Sequence, residues 1–259
     1  MRKFYIILFI VLLFFQINDV AFGDDLYLSK LKALKSEIDA NYYSFDIQKL
    51  KQILNKSYNI TKLSGGGDWH PLYYSGLLHY LLGKIYYQID REIAYNHFDK
   101  SLDYLLKAND KFQSAEVMSL ISAAYGKKSA LSPLASIYYG IKAKKYIEDA
   151  YDLEKDNPKL LLIAATHLMH TPESFGGSKT KAHTFLMKCF ELNKNRNEKD
   201  EFLPDWAEDA EIYAYMGQLD VLNENKEKAW QNIQNALKLV PDYGFVLKDL
   251  IPQYEKIKK

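Results

Sequence analysis

Between Ala210 and Pro241 the chain leaves little choice of fold. Gly217 falls on one expected helix, and Ala229, Ile233 and Ala236 fall at i, i+4 and i+7 on the next. That spacing lines one face of an α-helix. Two helices approach closely only where one offers a notch. Gly217 is the notch, Ala229 and Ala236 are the close-contact surface, and Ile233 is the knob between them. Pro241 ends the second helix, because the residue before a proline is pushed out of the helical region. The result is an antiparallel helix hairpin.

Looser copies of the hairpin recur upstream. Gly83 precedes Ala94, Phe98 and Ser101; Ala143, Ile147 and Ala150 are followed by Pro158; Ala182, Leu186 and Cys189 follow Gly176-Gly177. No stretch alternates at period two, and Pro and Gly fall between the helical runs. The expected fold class is therefore all-α, an irregular α-solenoid of antiparallel helix pairs. Tyr213, Met216 and Gly217, followed by Ala229, Ile233, Ala236 and Pro241, resemble the tetratricopeptide (TPR) repeat, as do Leu82-Gly83 and Tyr86. Asp220 stands where that family pattern has Tyr. The anchors Ala94, Ala143, Ala182 and Ala229 lie 49, 39 and 47 residues apart, whereas a regular array repeats at about 34. Longer helices or inserted loops must fill the difference.

The expected organisation follows from these units. Residues 24–63 carry Leu26, Leu28, Leu31, Leu34, Ile38, Leu50, Ile53 and Leu54 at helical spacing without small-residue notches, as a capping helix pair would. Ser64-Gly65-Gly66-Gly67 breaks the chain, and Asp68 is placed to cap a helix near Pro71. Residues 64–243 hold the TPR-like pairs. Residues 244–259 form a basic-ended C-terminal capping helix.

The first residues carry an address. Arg2 and Lys3 precede an apolar run from Phe4 to Phe15, and Ala21-Phe22-Gly23 offers small residues for cleavage after Gly23. The run falls short of the roughly 20 residues that span a bilayer. A signal peptide at 1–23 is expected, which makes the product periplasmic or secreted; a retained anchor is the alternative. Residues 1–23 hold two bases (Arg2, Lys3) and one acid (Asp19), out of 34 Lys+Arg and 33 Asp+Glu, so the remainder is charge-balanced. Nucleic acid and anionic membrane surfaces both require a basic excess, so neither is expected as the main partner. One cysteine, Cys189, excludes an internal disulfide and occupies a helix-packing position, where a buried inert thiol is expected.

Candidate chemistry is sparse. Thr171-Pro172-Glu173-Ser174-Phe175-Gly176-Gly177, followed by Lys181-Ala182, looks like a pattern in secreted bacterial TPR proteins. Among these are proteins similar to the T component of TRAP-type transporters. That resemblance implies a periplasmic solute-binding protein as partner. Physically, Gly176-Gly177 permits a sharp turn, and Lys179 and Lys181 beside free N–H groups at a helix start could hold an anion. The candidate binding residues are Phe175, Gly176, Gly177, Lys179 and Lys181; a plain tight connector is the alternative. His167, His170 and His183 could gather round a metal ion, although no H-E-x-x-H spacing occurs. Asp205, Glu208, Asp209 and Glu211 suit a helix N-terminus. Of the 21 tyrosines, doublets such as Tyr73-Tyr74 should not bury both members equally, leaving some for a contact surface.

The functional expectation is an exported, non-enzymatic scaffold with no cofactor. Its groove binds a protein or peptide partner and assists solute uptake or envelope assembly. Self-association into homo-oligomers is a further expectation. The alternative is a histidine-centred metal protein or hydrolase on the same helical repeat.

Overall fold

A computed structural model describes residues 25–65, 67–194 and 201–258, so the expected leader at 1–23 lies outside the described residues. The described residues form α1 (25–41), α2 (Ile47–Leu63), α3 (His70–Tyr86), α4 (Arg91–Lys111), α5 (Ala115–Leu131) and α6 (Ser136–Glu154). There follow α7 (Pro158–His170), α8 (Lys179–Lys194), α9 (Asp209–Leu222), α10 (Lys226–Leu239) and α11 (Ile251–Lys258). Among the described residues there is no strand. The fold is all-α, built from helices packed in adjacent pairs.

Side-chain oxygens start these helices where the sequence supplies them. Asp46, Asp90, Ser114, Asn157 and Asn225 each accept from a backbone N–H of the first turn. Such caps satisfy donors that have no partner inside the helix.

Helices of two kinds alternate. The outer members α2, α4, α8 and α10 bury one stripe and expose the rest. The inner members α3, α5, α7 and α9 are covered nearly all round; α3 is buried without a break from Pro71 to Ile85. A helix apolar on every face belongs inside a core. Each pair meets at its notch. A Cβ on Gly83 would lie 2.6 Å from the Phe98 ring, and one on Gly217 would lie 3.5 Å from the Ala229 carbonyl. Ala94, Phe98, Ala143, Ala150, Ala182, Leu186, Ala229, Ile233 and Ala236 are buried, and Ile147 is half-buried. Pro241 sits just past α10.

One expectation needs correction. Tyr73 and Tyr74 are both fully buried, because α3 has neighbours on all sides and no outward face for the second ring. At the C-terminal end, residues 244–258 are helical throughout, with a π-turn at Val246–Leu250 running into α11; Pro252, lacking an N–H, removes a ladder bond beside it.

The ends of the array meet. The N–H of Gly244 donates to the Tyr43 carbonyl at 2.8 Å, and the Tyr43 and Tyr243 rings lie edge to face at 4.7 Å. Gly244 admits no side chain there, since a Cβ would run into Phe45. Lys35 bridges Asp205 at 2.8 Å, and Tyr42 donates to Glu211. The segment 201–208 enters the ring from one end with Trp206 at its centre, 1% exposed.

Candidate site at the mouth of the inner helices

The inner helices present their N-terminal turns to one end of the ring and their C-terminal turns to the other. At the first end, buried charges neutralise one another. Lys159, in the first turn of α7, lies 2.7 Å from Glu116 of α5 and donates to the Pro204 carbonyl at 2.8 Å. Tyr73 donates to Glu116, and the Trp206 indole N–H donates to the Tyr73 hydroxyl at 2.9 Å. Tyr74 donates to the Phe202 carbonyl. Glu211 accepts from the Ala207 N–H at 3.0 Å and from Tyr42. The 201–208 segment is thereby a plug held by hydrogen bonds to three inner helices. Ala207 has φ of +61°, a conformation costly for any residue with a Cβ. Its N–H bond to Glu211, and its carbonyl bond from Asn193 at 2.7 Å, hold it there.

The opposite end carries different chemistry. Lys84, in the last turn of α3, reaches back towards the plugged end, 3.7 Å from Glu211, and donates to Tyr215 at 3.3 Å. Lys127 of α5 has neither an ion pair nor a hydrogen bond among the described residues. Its ammonium lies 5.4 Å from the centre of the Tyr87 ring, whose surroundings also include the Arg91 guanidinium at 5.8 Å. His167 of α7 packs on α5 at Gly126, where a Cβ would stand 2.5 Å from the imidazole. Its Nε2 is 2.9 Å from the Ser122 hydroxyl. His170 Nε2 faces Gln218 Oε1 of α9 at 3.3 Å. A carbonyl oxygen can only accept, so Nε2 of His170 carries the proton and Nδ1 keeps its lone pair.

Electrostatics set this end apart. Burial lowers the Lys127 ammonium to about 8; the charge of Lys84 adds to that and Asp249 opposes it. Burial, reinforced by the charge of Lys127, holds His167 and His170 at about 4, so both are neutral at pH 7. Burial raises the Asp249 carboxyl, against the pull of Lys84, Lys127 and Lys248. Yet Lys127 and His167 are only half-buried and His170 is exposed. Lys84, Tyr87, Lys127, His167, His170, Gln218 and Asp249 gather at the end opposite the plug, the mouth of the ring. It offers one unpaired cation, neutral imidazoles and an aromatic face.

The residues expected to bind lie elsewhere. Gly176 takes φ of +92°, and its N–H, that of Gly177 and that of Ser178 donate to the carbonyls of Glu173, Pro172 and Leu168. A Cβ at Gly177 would collide with the Thr171 carbonyl. Lys179 donates to the Leu222 carbonyl at 2.6 Å, tying the turn to α9, while Phe175 and Lys181 face solvent. The donors that sequence alone offered to an anion bond the turn's own backbone, so the geometry is that of a connector. The three histidines do not converge: His183 is exposed on α8, and the other two take separate partners. Among the described residues, no group of three or more His, Cys, Asp or Glu could hold a metal ion. Cys189 is buried, its thiol donating to the Pro158 carbonyl.

Lys84, Lys127, Gln218 and Asp249 were not singled out by sequence. A signal did exist for the first two. Lys84 interrupts Leu81-Leu82-Gly83-Lys84-Ile85, and Lys127 follows Ala123-Ala124-Tyr125-Gly126. A charge on a helix otherwise apolar must be paired or must face a cavity.

No family model matches the chain, and no curated protein does. Among solved structures, the HusA haemophore from Porphyromonas gingivalis superposes with a TM-score of 0.57 at 18% identity. The match covers 85% of this chain and 93% of that one. At such identity the likeness is one of fold. No helix among the described residues is long and apolar enough to cross a membrane.

Proposed function

We propose that this chain is an exported, non-enzymatic binding protein that holds a small ligand in the mouth formed by α3, α5, α7 and α9. The observation that carries the reading is Lys127, a half-buried cation with no ion pair or hydrogen bond among the described residues, beside neutral imidazoles and the Tyr87 ring. Structural charges in this protein are paired, as Lys159 is with Glu116. An unpaired one is what a binding site for an external group requires. The leader at 1–23, cleaved after Gly23, delivers the chain to the periplasm or beyond. The fold it shares with a haemophore makes haem the first ligand to try.

The test is direct. Protein spanning residues 24–259, made without a histidine tag, is titrated with haemin and followed by its visible absorption. Saturation at one equivalent is expected. A linear, non-saturating titration would remove haem, and no saturable uptake from an envelope extract would end the reading.

A second surface favours a protein or peptide partner. Leu134, Ile137, Tyr138 and Ile141 share one face of α6 and its leading turn, all of them exposed. Contiguous apolar exposure of this kind marks interaction sites. A periplasmic solute-binding protein is the partner that the TRAP-like resemblance proposes. Photocrosslinking from position 141 in the native envelope tests it, and recovery of the uncrosslinked chain alone would count against it.

A further inference from the structure

Resting on the α6 face as a surface for a protein partner, we infer that its occupant is a second copy of this chain, docked α6 against α6 in antiparallel sense. α6 buries Ala143 and Ala150 and leaves Ile137, Ile141, Lys144, Glu148 and Tyr151 exposed. With Lys155 just past the helix, these residues follow one another at alternating steps of four and three. That is the seam of a helix made to face another helix, about 27 Å long. It is strongly apolar at one end, where Ile137 is 76% and Ile141 64% exposed. Within the fold α6 packs chiefly on α5, so its outer side stays open.

The order of charges along this face selects the occupant. Lys142, Lys144 and Lys145 come first; Glu148, Asp149 and Asp152 follow. Two copies laid parallel would set Lys144 on Lys144 and Glu148 on Glu148, and like charges repel. Laid antiparallel about a two-fold axis beside Tyr146, Lys144 of each copy meets Glu148 of the other. The same axis brings Ile141 of each copy to Tyr151 of the other, as an isologous contact requires. Ile137 then lies along the carbon stem of Lys155. Within one copy Lys144 and Glu148 are 3.7 Å apart, and Lys145 and Asp149 2.5 Å. Docking interleaves these pairs into a ladder of alternating charge and leaves no ion unpaired. A flat anionic bilayer is a poorer fit, because the acidic half of the helix would be pressed against it.

One helix per copy makes a small interface, so dissociation at a concentration of order 10 µM is expected. Sedimentation equilibrium on residues 24–259, from about 1 to about 200 µM, measures it. The wild type is compared with Glu148→Lys and with the exchanged variant Lys144→Glu/Glu148→Lys. Both positions are exposed, and circular dichroism establishes that each variant is folded. Glu148→Lys places lysine against lysine at two symmetry-related points and should weaken the dimer about tenfold. The exchanged variant restores both attractions and should return to within about threefold of the wild type. A wild type monomeric at the highest concentration, a dimer indifferent to Glu148→Lys, or an exchanged variant as weak as the single one overturns the pairing. A photocrosslinker at position 141 in the native envelope separates that failure from failure of the docking face. An adduct with a second copy is expected. An adduct with a different protein overturns the second copy and leaves the face as a docking surface; an adduct with lipid alone, or none, overturns both.

Discussion

The two ends of the inner-helix ring contain the same kinds of residue and treat them in opposite ways. At the plugged end Lys159 is enclosed by Glu116, the Pro204 carbonyl and the Trp206 ring, and every partner comes from the chain itself. At the open end Lys127 is half-buried with an aromatic face beside it and the charges of Lys84 and Asp249 near by, and it makes no ion pair among the described residues. The first arrangement closes a fold. The second leaves one electrostatic demand unmet, and folding alone gives no reason for it. Charge inside a helical array is therefore informative by its pairing more than by its burial.

The contrast can be broken most forcefully at the plug. Trp206→Ala removes the largest side chain in the ring's centre and the donor to Tyr73. A loss of about 4 kcal/mol in urea unfolding is expected, within the range for truncating a fully buried aromatic. A loss below about 1 kcal/mol would mean that segment 201–208 is a loose lid.

Glu116→Leu comes next, since it leaves Lys159 buried without its carboxylate, at an expected cost of about 3 kcal/mol. The matching change at the mouth, Lys127→Met, should move stability by no more than about 0.5 kcal/mol in either direction, because no partner is orphaned. Equal losses from the two changes would erase the distinction between the ends.

A third probe uses pH and a region belonging to neither end. His79, buried between α2 and α4, is held at about 3 by burial and by the charge of His97; His97, mostly by burial, is held at about 4. Their rings face each other at 2.9 Å between nitrogens, and His79 also meets the Tyr58 hydroxyl at 2.7 Å. Both are neutral in the fold, whereas below about 6.5 the unfolded chain binds a proton on each. Stability is therefore full above pH 6.5 and drains as pH falls from 6.5 towards 4. Urea midpoints at pH 7 and pH 5 should differ, and His79→Gln should shrink that difference. An unchanged difference would place the acid sensitivity in His167 and His170, which burial also holds at about 4.

How much of this was legible beforehand depends on the range of the interaction. The Gly217/Ala229 and Gly83/Phe98 contacts join residues at most 15 apart within one hairpin, where helical periodicity alone settles which side chains meet. The same logic failed at Tyr73-Tyr74, because burial on all sides of α3 is a property of its neighbours. At Gly176-Gly177 the N–H groups find carbonyls in their own turn, the geometry of the connector that the sequence also allowed. The acid cluster shows both outcomes. Glu211 does begin a helix, as the macrodipole argument asked, but it also reaches Tyr42 some 169 positions away.

Sequence by itself determined the all-α class, the helix pairs and their notches, since those rest on period, capping and small residues acting over one or two turns. Tertiary structure decided that the turn between α1 and α2 meets Tyr243 and Gly244, that segment 201–208 fills one end of the ring, and that Lys127 is left without an ion pair at the other. The physical reason is that a helix pattern fixes which face is apolar but not the angle at which successive pairs stack. Small angular differences, summed over five pairs with unequal spacings, bring Gly244 against Phe45 and leave Lys127 outside ion-pair distance of a carboxylate among the described residues.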